Sequence, residues 1–270
     1  MGNSEYLKRF TRNIGLLTEK EQLKLKDSTV AIAGVGGVGG FPAERLARLG
    51  VGCIKIADPE VFTESDLNRQ FGSSTKTLGK KKVDVISEIL KDINPEIKVD
   101  VYPEGVNKGN IDNFLDGVDL VIDAIEFFTF EARLVLYPKA REKGIHIILS
   151  GATAFGSPLM VFPPDGMKME KIFGLENLGN KPIDYLSIFR KFYKEMPEFV
   201  TEEKIRKFVN RESPASTLSP TCALAGSLLA EESLFLLLRK REPLVVPKCV
   251  MIDLAKRTFI EIDLMGENKQ

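Results

Sequence analysis

Thr29-Val-Ala-Ile-Ala33, Gly34-Val-Gly-Gly-Val-Gly-Gly40, Phe41 to Leu49 and Cys53-Ile-Lys-Ile-Ala57-Asp58 stand in close succession. The first block is a short apolar run of strand type, and the second is a glycine turn. Phe41 to Leu49 has helical apolar spacing, and Cys53 to Ala57 is a second strand closed by an acid. Strand, glycine turn, helix, strand is a βαβ unit. Small residues let the backbone approach phosphates, and the following helix N-terminus supplies free N–H groups and a partial positive charge. Asp58 stands where an acid holds ribose hydroxyls. Gly34-x-Gly36-x-x-Gly39 therefore implies a nucleotide without saying which. By itself the loop favours NAD or FAD. Gly37 and Gly40 leave extra space beside the phosphates, which suits a nucleotide that reacts at phosphate.

The alternation continues outward from this unit. Lys80 to Leu90 reads as a helix ending before Asn94-Pro95, and Ile97 to Tyr102 as a strand. Leu120 to Ala124 is a buried strand, residues 129–143 a helix, and Ile145 to Leu149 another strand. Repeated βα units predict an α/β, Rossmann-like, mostly parallel sheet with helices on both faces. Upstream, residues 5–26 read as helical with a break. Downstream, Pro158 to Phe162 is a strand and Pro163-Pro-Asp-Gly166 a turn. Residues 167–213 are charged and aromatic (Phe173, Tyr185, Phe189, Phe192, Tyr193, Phe199) and read as a helical insertion or a lid. Thr221 to Leu238 is a long apolar helix. Cys249 to Asp253 and Thr258 to Ile262 predict a C-terminal antiparallel extension. With no repeat or linker, residues 1–270 read as one domain, with a nucleotide-binding half at about 27–153 and a variable insertion at about 163–218.

Composition narrows the function classes. The 270 residues carry 38 Lys plus Arg and 38 Asp plus Glu, so there is no global pull toward nucleic acid or anionic membrane. Cys53, Cys222 and Cys249 are far apart, and no CxxC pair exists, so neither a disulfide framework nor a zinc site is expected. His146 is the single histidine and lies in an apolar run, which speaks against a His metal centre or a Ser-His-Asp triad. No apolar leader core is evident, and Leu234 to Leu238, the longest run of consecutive apolar residues, is too short for a bilayer. The expectation is a soluble, cytoplasmic protein.

Asp66-Leu-Asn68-Arg69-Gln70 and Gly79-Lys-Lys-Lys82 separate the nucleotide options. A nicotinamide site needs no basic residues after the second strand, whereas a site that releases pyrophosphate does. Arg69 and Lys82 suit β- and γ-phosphate charge, and Asn68 and Gln70 suit the orientation of oxygens.

With these residues in hand, the chain resembles the ThiF/MoeB/HesA family, the adenylation domains of ubiquitin-activating enzymes. The likeness rests on Arg9-Phe-Thr-Arg12-Asn-Ile, Gly34-Val-Gly-Gly-Val-Gly39, Asp58, Asn68-Arg69-Gln70, Lys82 and Asp123-Ala-Ile-Glu126 in order and spacing. It runs from about residue 5 to 153 and resumes at Pro220, Gly226 and Ser227. The resemblance implies an eight-stranded sheet and adenylation of a carboxylate with MgATP. The carboxylate is usually the C-terminal Gly-Gly of a ubiquitin-like protein, and in some relatives a small molecule or a tRNA-borne group. By position, Gly34, Gly36, Gly37 and Gly39 would sit at the phosphates and Asp58 on the ribose. Arg69 and Lys82 would stabilise phosphate charge. Arg12 would reach the partner's γ-phosphate across a homodimer interface.

Three departures bear on this resemblance. Glu126 stands where the family has a Mg²⁺-holding Asp, and Phe127 where it has Asn beside the nucleotide. The insertion lacks the nucleophilic Cys found in many relatives, so no thioester step is expected. Cys222 lies at a helix start, where a thiol pKa is lowered; a small packed residue is the plainer reading. An NAD(P)-binding oxidoreductase and a catalytically weak, partner-binding relative remain the alternatives.

Overall fold

The apolar runs become strands of one sheet, and the rest of the chain packs on its two faces. The computed structural model describes residues 3–176, 182–191 and 199–266. The strands are β1 (Thr29–Ala33), β2 (Cys53–Ala57), β3 (Lys98–Tyr102), β4 (Leu120–Asp123), β5 (His146–Ser150), β6 (Gly156–Phe162), β7 (Lys248–Asp253) and β8 (Thr258–Asp263). Their spatial order is β3-β2-β1-β4-β5-β6-β7-β8. The first five are parallel, and β6, β7 and β8 add antiparallel. The chain thus winds outward from β1 to β3, then returns past β1 to β4. Open α/β sheets bind ligands at such a reversal, outside the carboxyl ends of the strands.

Alternation along the strands builds a core on each face. Val30, Ile32, Ile54, Ile56, Ile122 and Ile148 face α3 (Gly40–Leu49), α4 (Lys82–Ile93) and α10 (Ser219–Leu238). Ala31, Ala33, Val121, Ile147 and Leu149 face α5 (Ile111–Phe114) and α6 (Phe130–Glu142). Each fully buried Ile or Leu contributes roughly 1.5–3 kcal/mol relative to exposure. The helix expected from Lys80 starts at Lys82, because Val61 pairs with Lys81 in an antiparallel bridge. The four-residue α5 was absent from the sequence reading.

Helix α10 is the long apolar helix expected from Thr221 to Leu238, begun two residues earlier at Ser219. It has 20 residues and a mean hydropathy of 1.5, long and apolar enough to cross a membrane by length and composition. Here it lies across the sheet, in contact with α3, β5 and β6, and carries Glu231 and Glu232. Gly226 allows that approach, since a Cβ there would stand 2.3 Å from Phe41 Cβ. Glu232 is buried and pairs with Arg241.

The N-terminal helices α1 (Asn3–Arg9) and α2 (Glu19–Lys26) close the amino end of the sheet. Tyr6 Oη donates to Gly50 O at 2.6 Å, just beyond α3. Thr18 and Glu21 form a capping box on α2. The insertion contains α7 (Met169–Phe173), α8 (Tyr185–Lys191) and α9 (Glu202–Val209). Phe192 and Tyr193 lie outside the described residues. His146 begins β5 beside Leu120, half-buried, and burial lowers its pKa against an opposing effect of Asp165.

Candidate active site

The site is assembled where β1, β2 and β4 end. Gly34 N donates to Ala57 O at 2.7 Å, and Ala124 N donates to Ala33 O at 2.8 Å, so three strand ends share one floor. Gly34 has φ +89°, and a Cβ there would be 2.3 Å from Ala124 O. At Gly39 a Cβ would meet Gly34 O at 1.9 Å. These two glycines close the turn. Gly36 and Gly37 are different: their nearest neighbours would stand 3.6 Å and 3.7 Å from a Cβ, and those neighbours are polar side chains.

Asp58 follows β2 directly, under this turn. Its Oδ2 accepts from Val35 N at 2.8 Å and its Oδ1 from Glu60 N at 2.9 Å. Burial raises its carboxyl above the ordinary value, and these two N–H bonds oppose the rise. Lys82 opens α4 and is 2% exposed. Its ammonium donates to Glu60 Oε2 at 2.6 Å and stands 3.9 Å from Asp66 Oδ2. Gln70 Nε2 donates to Asp66 Oδ1 at 2.5 Å, while the buried Gln70 Oε1 has no partner. A buried oxygen without a donor is costly and points to a missing partner. Lys82 Nζ and Gln70 Oε1 both border Gly36, at 3.7 Å and 3.6 Å from a Cβ built there.

Arg69 Nε stands 3.7 Å from a Cβ placed on Gly37, and Cys222 Sγ 3.8 Å from it. Arg69 Nη1 donates to Ser65 O at 2.7 Å and Asn68 Oδ1 at 3.0 Å. Asn68 Nδ2 in turn donates to Thr217 O at 3.2 Å. Farther along the same segment, the Arg211 guanidinium lies 4.9 Å from the Phe128 ring. Residues 211–217 therefore join the loop after β4 to the loop after β2. Cys222 is buried, and burial pushes its thiol up to about 11 against the opposing charge of Arg69. The expected lowering at a helix start does not occur: desolvation outweighs the helix end.

The loop after β4 carries Glu126 and Phe127. Glu126 is exposed, and its Oε2 accepts from Phe128 N at 2.6 Å. The Phe127 ring packs with Phe128, Tyr185, Phe189 and Phe208. It faces the insertion, where the sequence reading had set it beside the nucleotide. Arg133 fixes this loop through Asp123 Oδ2 at 2.8 Å, Ile125 O at 2.6 Å and Glu126 O at 2.9 Å.

Arg12 stands apart from this group. It is exposed in a single 3₁₀ turn, Thr11–Asn13, at the amino end of the sheet. Its neighbour Asn13 donates to Leu49 O at 3.4 Å, at the last residue of α3. The glycine turn lies at the other end of α3, about 15 Å away for ten residues.

The structure thus gathers Gly34, Gly36, Gly37, Gly39, Asp58, Asn68, Arg69, Gln70 and Lys82, with Glu126 on the adjoining loop. The sequence matches the ThiF family over residues 10–270. The chain belongs to that family. Among curated relatives, the tRNA threonylcarbamoyladenosine dehydratase of Bacillus subtilis is 41% identical over 131 residues, 48% of this chain and 51% of that protein. The SAMP-activating enzyme E1 of Haloferax volcanii is 28% identical over 162 residues, 59% of each. The chain thus spans little more than half the length of these relatives. The crystal structure of E. coli MccB with ATP superimposes with a TM-score of 0.70 at 22% identity, covering 95% of this chain and 71% of that one.

Two features of this ThiF-family site were missed in the sequence. Glu60 and Asp66 both face Lys82. Thr63-x-x-Asp66 has the spacing of a capping box, and Asp66 does cap that turn, which was the available signal for its burial. Arg133 carried no comparable signal.

Proposed function

We propose that this ThiF-family chain is an ATP-dependent adenylyltransferase that activates a carboxylate. A carboxylate oxygen attacks the α-phosphate, the bond from that phosphorus to the bridging oxygen breaks, and pyrophosphate leaves. The observation that carries this reading is Lys82 Nζ beside Gly36, with Arg69 beside Gly37. Cations at the glycine turn suit a departing pyrophosphate, and a nicotinamide site has no use for them. Gly36 and Gly37 have room for phosphate oxygens, Lys82 and Arg69 hold their charge, and Asp58 takes the ribose. The protein's work is positioning and charge neutralisation.

Mg²⁺ usually keeps several waters and takes one or two protein carboxylates beside substrate phosphates. Exposed Glu126 suits that place, and the described residues hold no group of three or more metal-binding side chains. When bound, the ion supplies charge for the phosphates. Arg12 lies too far from its own glycine turn to serve it, which supports a homodimer in which each Arg12 serves the neighbouring γ-phosphate. The carboxylate is that of a tRNA-borne group or of a protein's C-terminal glycine. The Bacillus relative's name supports the first and the Haloferax relative's the second. Use of ATP supports a cytoplasmic setting, and residues 1–270 act as one adenylation domain.

Calorimetry with MgATP and with NAD, on wild type and Arg69→Ala, tests the reading. ATP binding that weakens in the variant, with NAD silent, is expected. NAD binding with ATP silent overturns it and restores the oxidoreductase alternative.

A further inference from the structure

Lys82, the buried cation of the site, already has a carboxylate. Its ammonium holds Glu60 Oε2 at 2.6 Å, yet the Glu60 side chain is 63% exposed. Asp66 also faces Lys82, but it is anchored: its Oδ2 accepts from Thr63 N at 2.9 Å and its Oδ1 from Gln70 Nε2 at 2.5 Å. The Glu60 carboxylate has no hydrogen-bond donor other than Lys82 among the described residues. The two backbones are clamped together, with Lys82 N donating to Glu60 O at 3.0 Å and Val61 paired with Lys81. The ammonium is therefore held in place, while the Glu60 side chain is free to swing into solvent.

Gly36 lies on the open side of the same ammonium, and a Cβ there would be 3.7 Å from Nζ. A phosphate oxygen seated over Gly36 would compete with Glu60 for Lys82. Like charges so close in a partly desolvated site disfavour joint occupancy. We infer that Glu60 is an exchangeable counter-ion of Lys82. It occupies the ammonium before nucleotide binds, yields to a phosphate on binding, and returns as pyrophosphate departs. Glu60 thereby holds ATP affinity down and hastens pyrophosphate release. The inference rests on the nucleotide site proposed above. The opposing view is that Glu60 orients Lys82 for the phosphate, so that its loss weakens binding.

Calorimetric titration of MgATP and of adenosine distinguishes the two, using wild type, Glu60→Gln, Lys82→Ala and the double variant. Glu60→Gln is expected to bind ATP about tenfold more tightly, the worth of one charge-assisted hydrogen bond recovered. Adenosine, which has no phosphate, is expected to bind both proteins equally. On the Lys82→Ala background the gain is expected to vanish. ATP affinity that is unchanged or weaker in Glu60→Gln overturns the inference while leaving the nucleotide site intact. A gain that persists without Lys82 also overturns it. ATP silent in both wild type and Glu60→Gln removes the nucleotide site itself, and the inference with it.

Discussion

Arg133 Nε donates to Asp123 Oδ2 at 2.8 Å, and both side chains are buried, at 7% and 0% exposed. Tyr137 Oη donates to the same Asp123 oxygen at 2.9 Å. The other guanidinium nitrogens hold the carbonyls of Ile125 and Glu126, so one buried pair sets the path of the loop that presents Glu126. Removing one partner of a buried pair leaves an uncompensated charge, at a cost of about 3–5 kcal/mol. Arg133→Ala is expected to lose that much in urea unfolding. Arg133→Lys is expected to fall near it, because an ammonium cannot span three acceptors in a fork. Tyr137→Phe removes one hydrogen bond and is expected to cost less, about 1–3 kcal/mol.

The glycines of the turn divide into two kinds, and substitution separates them. At Gly39 a methyl group would overlap Gly34 O at 1.9 Å, so the turn itself must break. Gly39→Ala is expected to lose more than about 4 kcal/mol, as backbone clashes of this severity do. At Gly36 the nearest atom would be 3.6 Å away, an ordinary contact. Gly36→Ala is expected to melt within about 2 °C of wild type and still lose ATP affinity by about tenfold or more, since the methyl fills the approach to phosphate. Thermal melts paired with calorimetry read both effects. A Gly36→Ala protein that binds ATP normally would place the phosphates elsewhere.

Legibility in the sequence followed the distance between partners. The βαβ unit was legible because strand, turn and helix signals are local and all point to one topology. The glycines, Arg69 and Lys82 were legible for the same reason. Arg133–Asp123, Lys82–Glu60 and Asn68–Thr217 were not, because they join residues 10, 22 and 149 positions apart. Only the packed sheet brings those together. Phe127 shows the limit of reading by position: the residue is where the family has its Asn, but an apolar ring on an insertion rich in aromatics turns toward Phe208 and Tyr185. Cys222 is the small packed residue of the plainer reading, and the helix start that suggested a lowered pKa is outweighed by that burial.

That burial has a pH signature. The Cys222 thiol is raised from 9.0 to about 11. Below pH 9 the thiol is protonated folded or unfolded and contributes no pH dependence. Between about 9 and 11 the unfolded chain releases the proton while the folded chain keeps it, so stability falls as pH rises. Cys222→Ala lacks this loss. The stability difference between wild type and variant, followed by urea unfolding from pH 8 to 11, is expected to shift steadily in the variant's favour. A pH-independent difference would mean that the folded thiol ionises normally. At pH 8, iodoacetamide is expected to modify half-buried Cys53 before Cys222.

The dimer proposal predicts complementation between two defective chains. Each site takes Lys82 from its own chain and Arg12 from its neighbour. Arg12→Ala and Lys82→Ala homodimers therefore lack one cation at every site, and both are expected to bind ATP weakly. Mixed by unfolding and refolding together, half the dimers are heterodimers, and each has one site with both cations intact. About one quarter of all sites then recover, as two-fold symmetry requires. ATP stoichiometry by calorimetry reads that fraction, and sedimentation should show a species of twice 30.1 kDa. If Arg12 serves its own chain, every site in the mixture lacks one of the two cations, and no recovery is seen. A monomer in sedimentation would remove the partner's Arg12 from the mechanism and leave Arg69 and Lys82 to carry the phosphate charge alone.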